Sequence, residues 1–290
     1  MQPELILDAR AGLAEGPVWD AGAGILYWVD IHAGHLHVYD PRDGSDRRLE
    51  LGAPLGCVAP RRNGGLVAAL KGGFAALDPA DGTLSPLADP EAHLPGNRFN
   101  DGKCDPAGRF LAGSMDDAEQ LASGSLYSFT ADWVLKTLLT GLRISNGLAW
   151  SPDGGTFYHI DTPTRQVMAY DYDLESGAIA NPRPAVTVPP ALGWPDGMTC
   201  DAEGRLWVAL WGGGRVARFD PADGRLLAEV PIPAQQVSAC AFGGADLKEL
   251  YVTTARKGLS SAQLAARPHS GSLFRVCTDV QGMRPDEFGG

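Results

Sequence analysis

Ile144-Ser145-Asn146-Gly147-Leu148-Ala149-Trp150-Ser151-Pro152-Asp153-Gly154 is the stretch from which the fold can be read. Its apolar run predicts a short buried strand and its Pro-Asp-Gly a tight turn. Thr156-Phe157-Tyr158-His159-Ile160 then reads as a second strand. A polar residue, Asn146, stands at the start of the first strand. The same arrangement recurs along the chain. Asp196-Gly197-Met198-Thr199-Cys200-Asp201 leads into Arg205-Leu206-Trp207-Val208-Ala209, and Asn100-Asp101-Gly102-Lys103-Cys104-Asp105 into Arg109-Phe110-Leu111-Ala112. Glu15-Gly16-Pro17-Val18-Trp19-Asp20 leads likewise into Ile25-Leu26-Tyr27-Trp28-Val29.

Units begin near Glu15, Gly56, Asn100, Asn146, Asp196 and Ser238, a period of about 45 residues that falls in the propeller range. A third strand in each unit ends near an Asp, as in His35-Leu36-His37-Val38-Tyr39-Asp40, Val167–Asp173 and Val216–Asp220. The Asp-x-x-(Asp/Ser)-Gly ends are hairpin turns into a fourth, outer strand. Four-stranded meanders of this kind cannot bury both faces alone, so they stack radially as blades. The expectation is an all-β, six-bladed β-propeller with four-stranded antiparallel blades, spanning residues 1–290 as one domain. Leu5-Ile6-Leu7-Asp8-Ala9 has no blade of its own. It is expected to close the ring as the outer strand of the blade containing Gly271-Ser272-Leu273-Phe274-Arg275-Val276.

Composition agrees with many tight turns: 37 Gly and 22 Pro without collagen-like period, in a chain that is 44% hydrophobic and 20% charged. Net charge is −11, from 24 basic and 35 acidic residues, with no basic run, which argues against nucleic acid and anionic membranes as partners. No stretch is long and apolar enough for a membrane span, and the first residues lack the pattern of a signal peptide. The five cysteines are scattered, with no C-x-x-C, as reduced thiols of a cytoplasmic protein would be.

In a propeller the first strand of each blade lines the central channel, so residues at one phase of the repeat converge on one mouth. Glu15, Asn100, Asn146 and Asp196 share that phase, with Ser238 a weaker fifth. Two carboxylates and two amides aimed at a common axis need a cation among them. An all-oxygen set suits a hard divalent ion such as calcium, magnesium or manganese. Each of these tripeptides alone is an ordinary turn sequence; their common phase is what a turn does not require and an axial ligand does.

These residues carry a resemblance. With Arg98-Phe99-Asn100-Asp101-Gly102-Lys103, Pro195-Asp196-Gly197-Met198, Cys240-Ala241-Phe242-Gly243-Gly244 and Leu250–Arg256, the chain resembles the SMP-30/gluconolactonase/regucalcin family over essentially its full length. The resemblance implies a six-bladed propeller holding one divalent metal ion (Ca, Mg, Mn, Zn or Fe) on Glu15, Asn146 and Asp196. It implies that Arg98 and Asn100 contact a sugar lactone. Asp196 then also accepts the proton of the attacking water, with Asp101 a second candidate. The expected reaction is hydrolysis of an aldonolactone to the aldonic acid in sugar catabolism, by a monomer or weak homodimer. A non-catalytic calcium-binding regulator and an organophosphate-type hydrolase on the same scaffold are the alternatives. Where family members carry a substrate-contacting Glu this chain has Ala118, leaving Asp117 and Glu119 as candidates to replace it.

Other constellations carry less. His32, His35 and His37 span a turn and a strand start, so their rings should diverge. His159 reads as a packed core histidine, and Asp161 as a strand-end turn residue. Gly212-Gly213-Gly214 reads as a hairpin turn, while Trp194 and Trp211 could wall a sugar pocket. G-x-S-x-G and H-E-x-x-H are both lacking. The one Trp-Asp pair, Trp19-Asp20, ends a first strand rather than a repeat, unlike the WD40 pattern.

Overall fold

Short apolar strands alternate with Gly- and Asp-rich turns along the whole chain. In the computed structural model, which describes residues 1–290, they form 24 strands in six four-stranded antiparallel sheets. Five sheets are simple meanders of consecutive strands. Their innermost strands are Ala14–Asp20, Leu55–Pro60, Asn97–Cys104, Ser145–Trp150 and Trp194–Cys200 (blades 1 to 5). Blade 6 runs outward from Gln236–Gly243 through Glu249–Ala255 and Leu273–Cys277, and its outer strand is Pro3–Leu7. Pro3 lies opposite Val276 and Leu5 opposite Phe274, so the N-terminal strand closes the ring in the blade expected, two residues earlier in the chain than the sequence pattern suggested.

The predicted Asp…Gly hairpins are present. The amides of Gly44, Gly177 and Gly224 donate to the carbonyls of Asp40, Asp173 and Asp220 at 2.7–2.9 Å. Each of these glycines has φ between 70° and 73°, a region closed to most side chains.

The strand pattern decides where the apolar surface goes. Both faces of a middle strand are covered by neighbouring blades, and six apolar clusters result, one per seam. Val29 and Leu36 meet Leu55 and Leu66 between blades 1 and 2; Phe74 meets Phe99 and Phe110 between blades 2 and 3. Leu111 and Leu126 face Trp150 and Phe157, and Ile160 and Val167 face Val208 and Phe219. Trp207 packs on Phe242 and Leu250, and the last seam joins Tyr251 and Leu273 to Trp19 and Trp28. At about 1.5–3 kcal/mol for each large apolar side chain fully buried, these seams hold the ring together. Outer strands such as Ser45–Glu50 are largely exposed and polar.

After Cys277 the chain crosses the lower end of the ring. The amide of Ala202 donates to the Gln281 carbonyl, that of Gly282 to Leu247, that of Phe288 to Pro60, and that of Gly289 to Gly108. Met283, Arg284, Pro285 and Asp286 thereby floor a small cavity of about 80 Å³ inside the channel. The opposite mouth stays open.

Candidate metal centre and substrate cleft

Every innermost strand breaks register once, near its start: between Glu15 and Val18, Leu55 and Cys57, Phe99 and Gly102, Asn146 and Leu148, Pro195 and Met198, and Val237 and Ala239. A bulge re-aims a side chain, and here it does so at the same place in each blade. Glycine beside the bulge lets adjacent inner strands approach. A Cβ on Gly147 would lie 2.7 Å from the Asp196 carbonyl oxygen, and one on Gly197 would lie 2.5 Å from the Ala239 Cβ.

The structure brings Glu15, Arg98, Asn100, Asn146 and Asp196 to one cleft of about 500 Å³ at the open mouth, walled by Trp194 and Trp211. Glu15, Asn146 and Asp196 are only 4%, 3% and 5% exposed, too little for water to stabilise their charge and dipoles. The Asn146 amide N–H donates to Thr162 Oγ1 at 3.1 Å, and the Thr162 hydroxyl donates to the Pro195 carbonyl at 2.9 Å. That orientation leaves Asn146 Oδ1 buried with no hydrogen-bond partner, and Asp196 Oδ1 is in the same condition. Burial, reinforced by Asp101, raises the Glu15 carboxyl above its usual range; burial, then Glu15 and Asp101, raise Asp196 well above its own. Two buried carboxylates, one with a partnerless oxygen, and one partnerless amide oxygen are the setting that a hard divalent cation satisfies, so the donor set fits the metal expected.

Arg98 is held on three sides. Its Nε donates to Asp117 Oδ1 at 2.8 Å, and its Nη1 donates to the Phe99 carbonyl and to Asn100 Oδ1 at 3.0 and 2.7 Å. His32 Nε2 lies 3.0 Å from the same Asp117 oxygen. Nη2 has no protein hydrogen bond within this set. Asn100 is engaged at both ends, since its Nδ2 donates to the Ser145 carbonyl at 2.9 Å, which leaves one N–H and one lone pair. Of the two residues flanking Ala118, Glu119 lines the cleft and forms an ion pair with Lys257, whereas Asp117 stands behind Arg98.

Other sequence candidates fall elsewhere. Ser238 does not reach the cleft: its hydroxyl donates to the Ala14 carbonyl at 2.5 Å and meets Thr253 Oγ1 at 2.9 Å, closing the seam between blades 6 and 1. The bulge puts Val237 at the ligand phase, and the polar residue that blade 6 contributes is Gln236, whose Oε1 is buried without a partner. Blade 2 places Leu55, not Gly56, at that phase. Asp101 lies below the cleft, in the small channel cavity with Lys103, whose ammonium donates to the Met198 carbonyl at 2.8 Å. The three histidines diverge: His32 goes to Asp117, His37 stacks on Trp28 at 3.7 Å and meets Asp46, and His35 faces Glu50. His159 is buried with its Nε2 2.8 Å from Ser145 Oγ, and Asp161 accepts from the Ile144 amide at 2.9 Å. Thr162, Gln236, Lys257 and Arg143 were not visible in the sequence. The first and the last two lie outside the inner strands, where the repeat gives no phase to read.

A six-bladed ring with an oxygen-lined, carboxylate-bearing cleft at one end of its inner strands is the class that fold and site define. The chain belongs to the SMP-30/gluconolactonase family: the family model described as "SMP-30/Gluconolactonase/LRE-like region" matches residues 13–256. Regucalcin of Oryctolagus cuniculus is 40% identical over 295 residues, covering 99% of this chain and 98% of that protein. Among solved structures, a calcium-binding protein, regucalcin, of Agrobacterium tumefaciens superposes with a TM-score of 0.94 at 30% identity, covering 98% of this chain and 96% of that one. A gluconolactonase of Xanthomonas campestris superposes with a TM-score of 0.77 at 26% identity, covering 95% and 89%.

Proposed function

We propose that the chain hydrolyses a sugar lactone to the corresponding aldonic acid as a step of sugar catabolism. The carrying observation is the pair of buried, partnerless oxygens, Asn146 Oδ1 and Asp196 Oδ1, set with Glu15 in the one cleft that Arg98 also lines. Glu15, Asn146 and Asp196 would hold a divalent ion, which when bound supplies Lewis acidity toward the lactone carbonyl. Arg98, fixed by Asp117 and Asn100, presents its free Nη2 to a ring or carbonyl oxygen and offsets charge developing there. Asn100 offers its remaining N–H to a sugar hydroxyl. Trp194 and Trp211 give the sugar an apolar wall. Asp196 takes the proton as water adds to the carbonyl carbon; the ring C–O bond breaks, and the leaving alkoxide is protonated to a hydroxyl.

The test is pH-stat proton release from a panel of aldonolactones, with and without chelator. Chelation is expected to abolish turnover, with added divalent ion restoring it. Asp196→Ala is expected to lose at least about 10²-fold in rate while keeping its β circular dichroism. Rates no faster than spontaneous hydrolysis for every lactone, or undiminished activity in Asp196→Ala, would overturn the reading. Micromolar calcium affinity without lactone turnover is the signature of the second reading, a calcium-binding regulator, which the calcium-binding Agrobacterium relative favours. An organophosphate in the same panel separates the phosphotriester-hydrolase alternative.

A further inference from the structure

Of the three cationic side chains that line the cleft, one has no carboxylate partner. Glu15 and Asp196 balance a divalent ion; Arg98 is paired with Asp117 at 2.8 Å, and Lys257 with Glu119. Arg143 lines the same cleft and has no carboxylate partner. Its Nε and Nη2 reach only the Glu119 carbonyl, at 3.4 Å, the outer limit of a hydrogen bond. Its backbone, by contrast, is anchored: Asp161 accepts from the amides of Arg143 and Ile144 at 3.2 and 2.9 Å. The residue is therefore held at the rim with its guanidinium exposed and uncommitted, in a chain whose net charge is −11.

A neutral polyol does not need such a group. A carboxylate does, because the guanidinium fork accepts it through two parallel charge-assisted bonds. One unpaired guanidinium fork matches one carboxylate; a phosphate dianion would call for a second free cation. We infer that the substrate is a lactone carrying a second carboxylate remote from the ring carbonyl, an aldaric-acid lactone, and that Arg143 is the residue that selects it. The inference rests on the lactonase reading above. Atoms balance: the lactone carboxylate takes up one water and yields the open dicarboxylate and one proton.

D-Glucaro-1,4-lactone and D-glucono-1,4-lactone share a ring and differ only in carboxylate against hydroxymethyl at C6, so the ratio of their kcat/KM values reads this contact. The expected ratio is about tenfold or more in favour of the glucarolactone, falling with added salt. Arg143→Gln, at an exposed position, is expected to bring the ratio close to one and Arg143→Lys to keep part of it. A ratio at or below one in the wild type, or one unchanged in Arg143→Gln, overturns the inference. If neither lactone is turned over, calorimetry on the calcium-loaded protein decides the anion site by itself, and the wider lactone panel decides the lactonase reading separately. Glucarate binding more tightly than gluconate, with the difference lost in Arg143→Gln, supports it. Equal binding, or 6-phosphogluconate binding more tightly than glucarate, overturns it.

Discussion

Asn146 shows how one amide is turned to present its oxygen. Thr162 accepts its N–H and is itself tied to the Pro195 carbonyl, so the oxygen faces the cleft in a fixed rotamer. The strand beside it keeps a second polar group in a neutral state. His159 is buried on the partner strand against Ser145, and burial lowers its imidazole from the ordinary 6.5 to about 3. The unfolded chain therefore binds a proton near pH 6.5 that the folded one refuses until about pH 3. Stability contributed by neutral His159 is full above pH 6.5 and lost as pH falls toward 3, with a slope of at most about 1.4 kcal/mol per pH unit. Urea unfolding at pH 7.5 and pH 5 should show His159→Gln with a smaller acid loss than the wild type. An equal loss in both would remove His159 from the account.

At the scale of the strand, the bulge with its glycine is the device that builds the site. The bulge repeats in all six inner strands, with a glycine at five and Ser238 in its place in blade 6, yet only four blades place a polar residue beside it; Leu55 and Val237 fill the other two. Both are fully buried and do not line the cleft, and blade 6 still contributes Gln236 from the preceding position. Gly197 carries the tightest of these constraints next to a proposed ligand, with Ala239 Cα 2.8 Å and the Ser238 carbonyl 3.0 Å from an added Cβ. Those neighbours are backbone or short side chains of the next inner strand and cannot swing away. Gly197→Ala is expected to cost about 1–3 kcal/mol in chemical denaturation and to weaken calcium binding by displacing Asp196. Unaltered stability together with unaltered affinity would show that the strands have slack.

Across the whole molecule, the ring is closed twice. The N-terminal strand completes blade 6, and the segment after Cys277 then crosses the floor from blade 5 to blades 2 and 3. Phe288 pins that crossing: it is fully buried and stacks on Phe129 with centroids 6.0 Å apart and planes 3° from parallel. Arg61 donates to the Gly290 carbonyl at 2.8 Å just beyond it. The crossing lines the lower cavity, and the cleft lies at the other end of the inner strands. Phe288→Ala should lower unfolding stability by about 3–5 kcal/mol, measured by urea titration, and expose the lower cavity. A loss under about 1 kcal/mol would mean that the segment is a loose tail rather than a clasp.

By itself the amino-acid order determined the ring and its count of blades. Strand, turn and strand recur at a constant interval, and no four-stranded meander can bury both of its faces alone. It also placed Glu15, Asn146 and Asp196 at one phase, because residues at equal steps around a closed ring must converge. What tertiary structure decided is finer. The bulge in blade 6 puts Val237 rather than Ser238 at the ligand phase and leaves Gln236, one position earlier, as that blade's polar group, a shift that alternation along a strand does not announce. Thr162, Lys257 and Arg143 come from connections that keep no repeat, and Glu119 rather than Asp117 faces the cleft because their loop turns at a left-handed residue, Glu119 itself at φ 61°. Periodicity specifies whatever symmetry repeats; charge pairing across the mouth breaks that symmetry, and only the folded chain brings those groups within reach of one another.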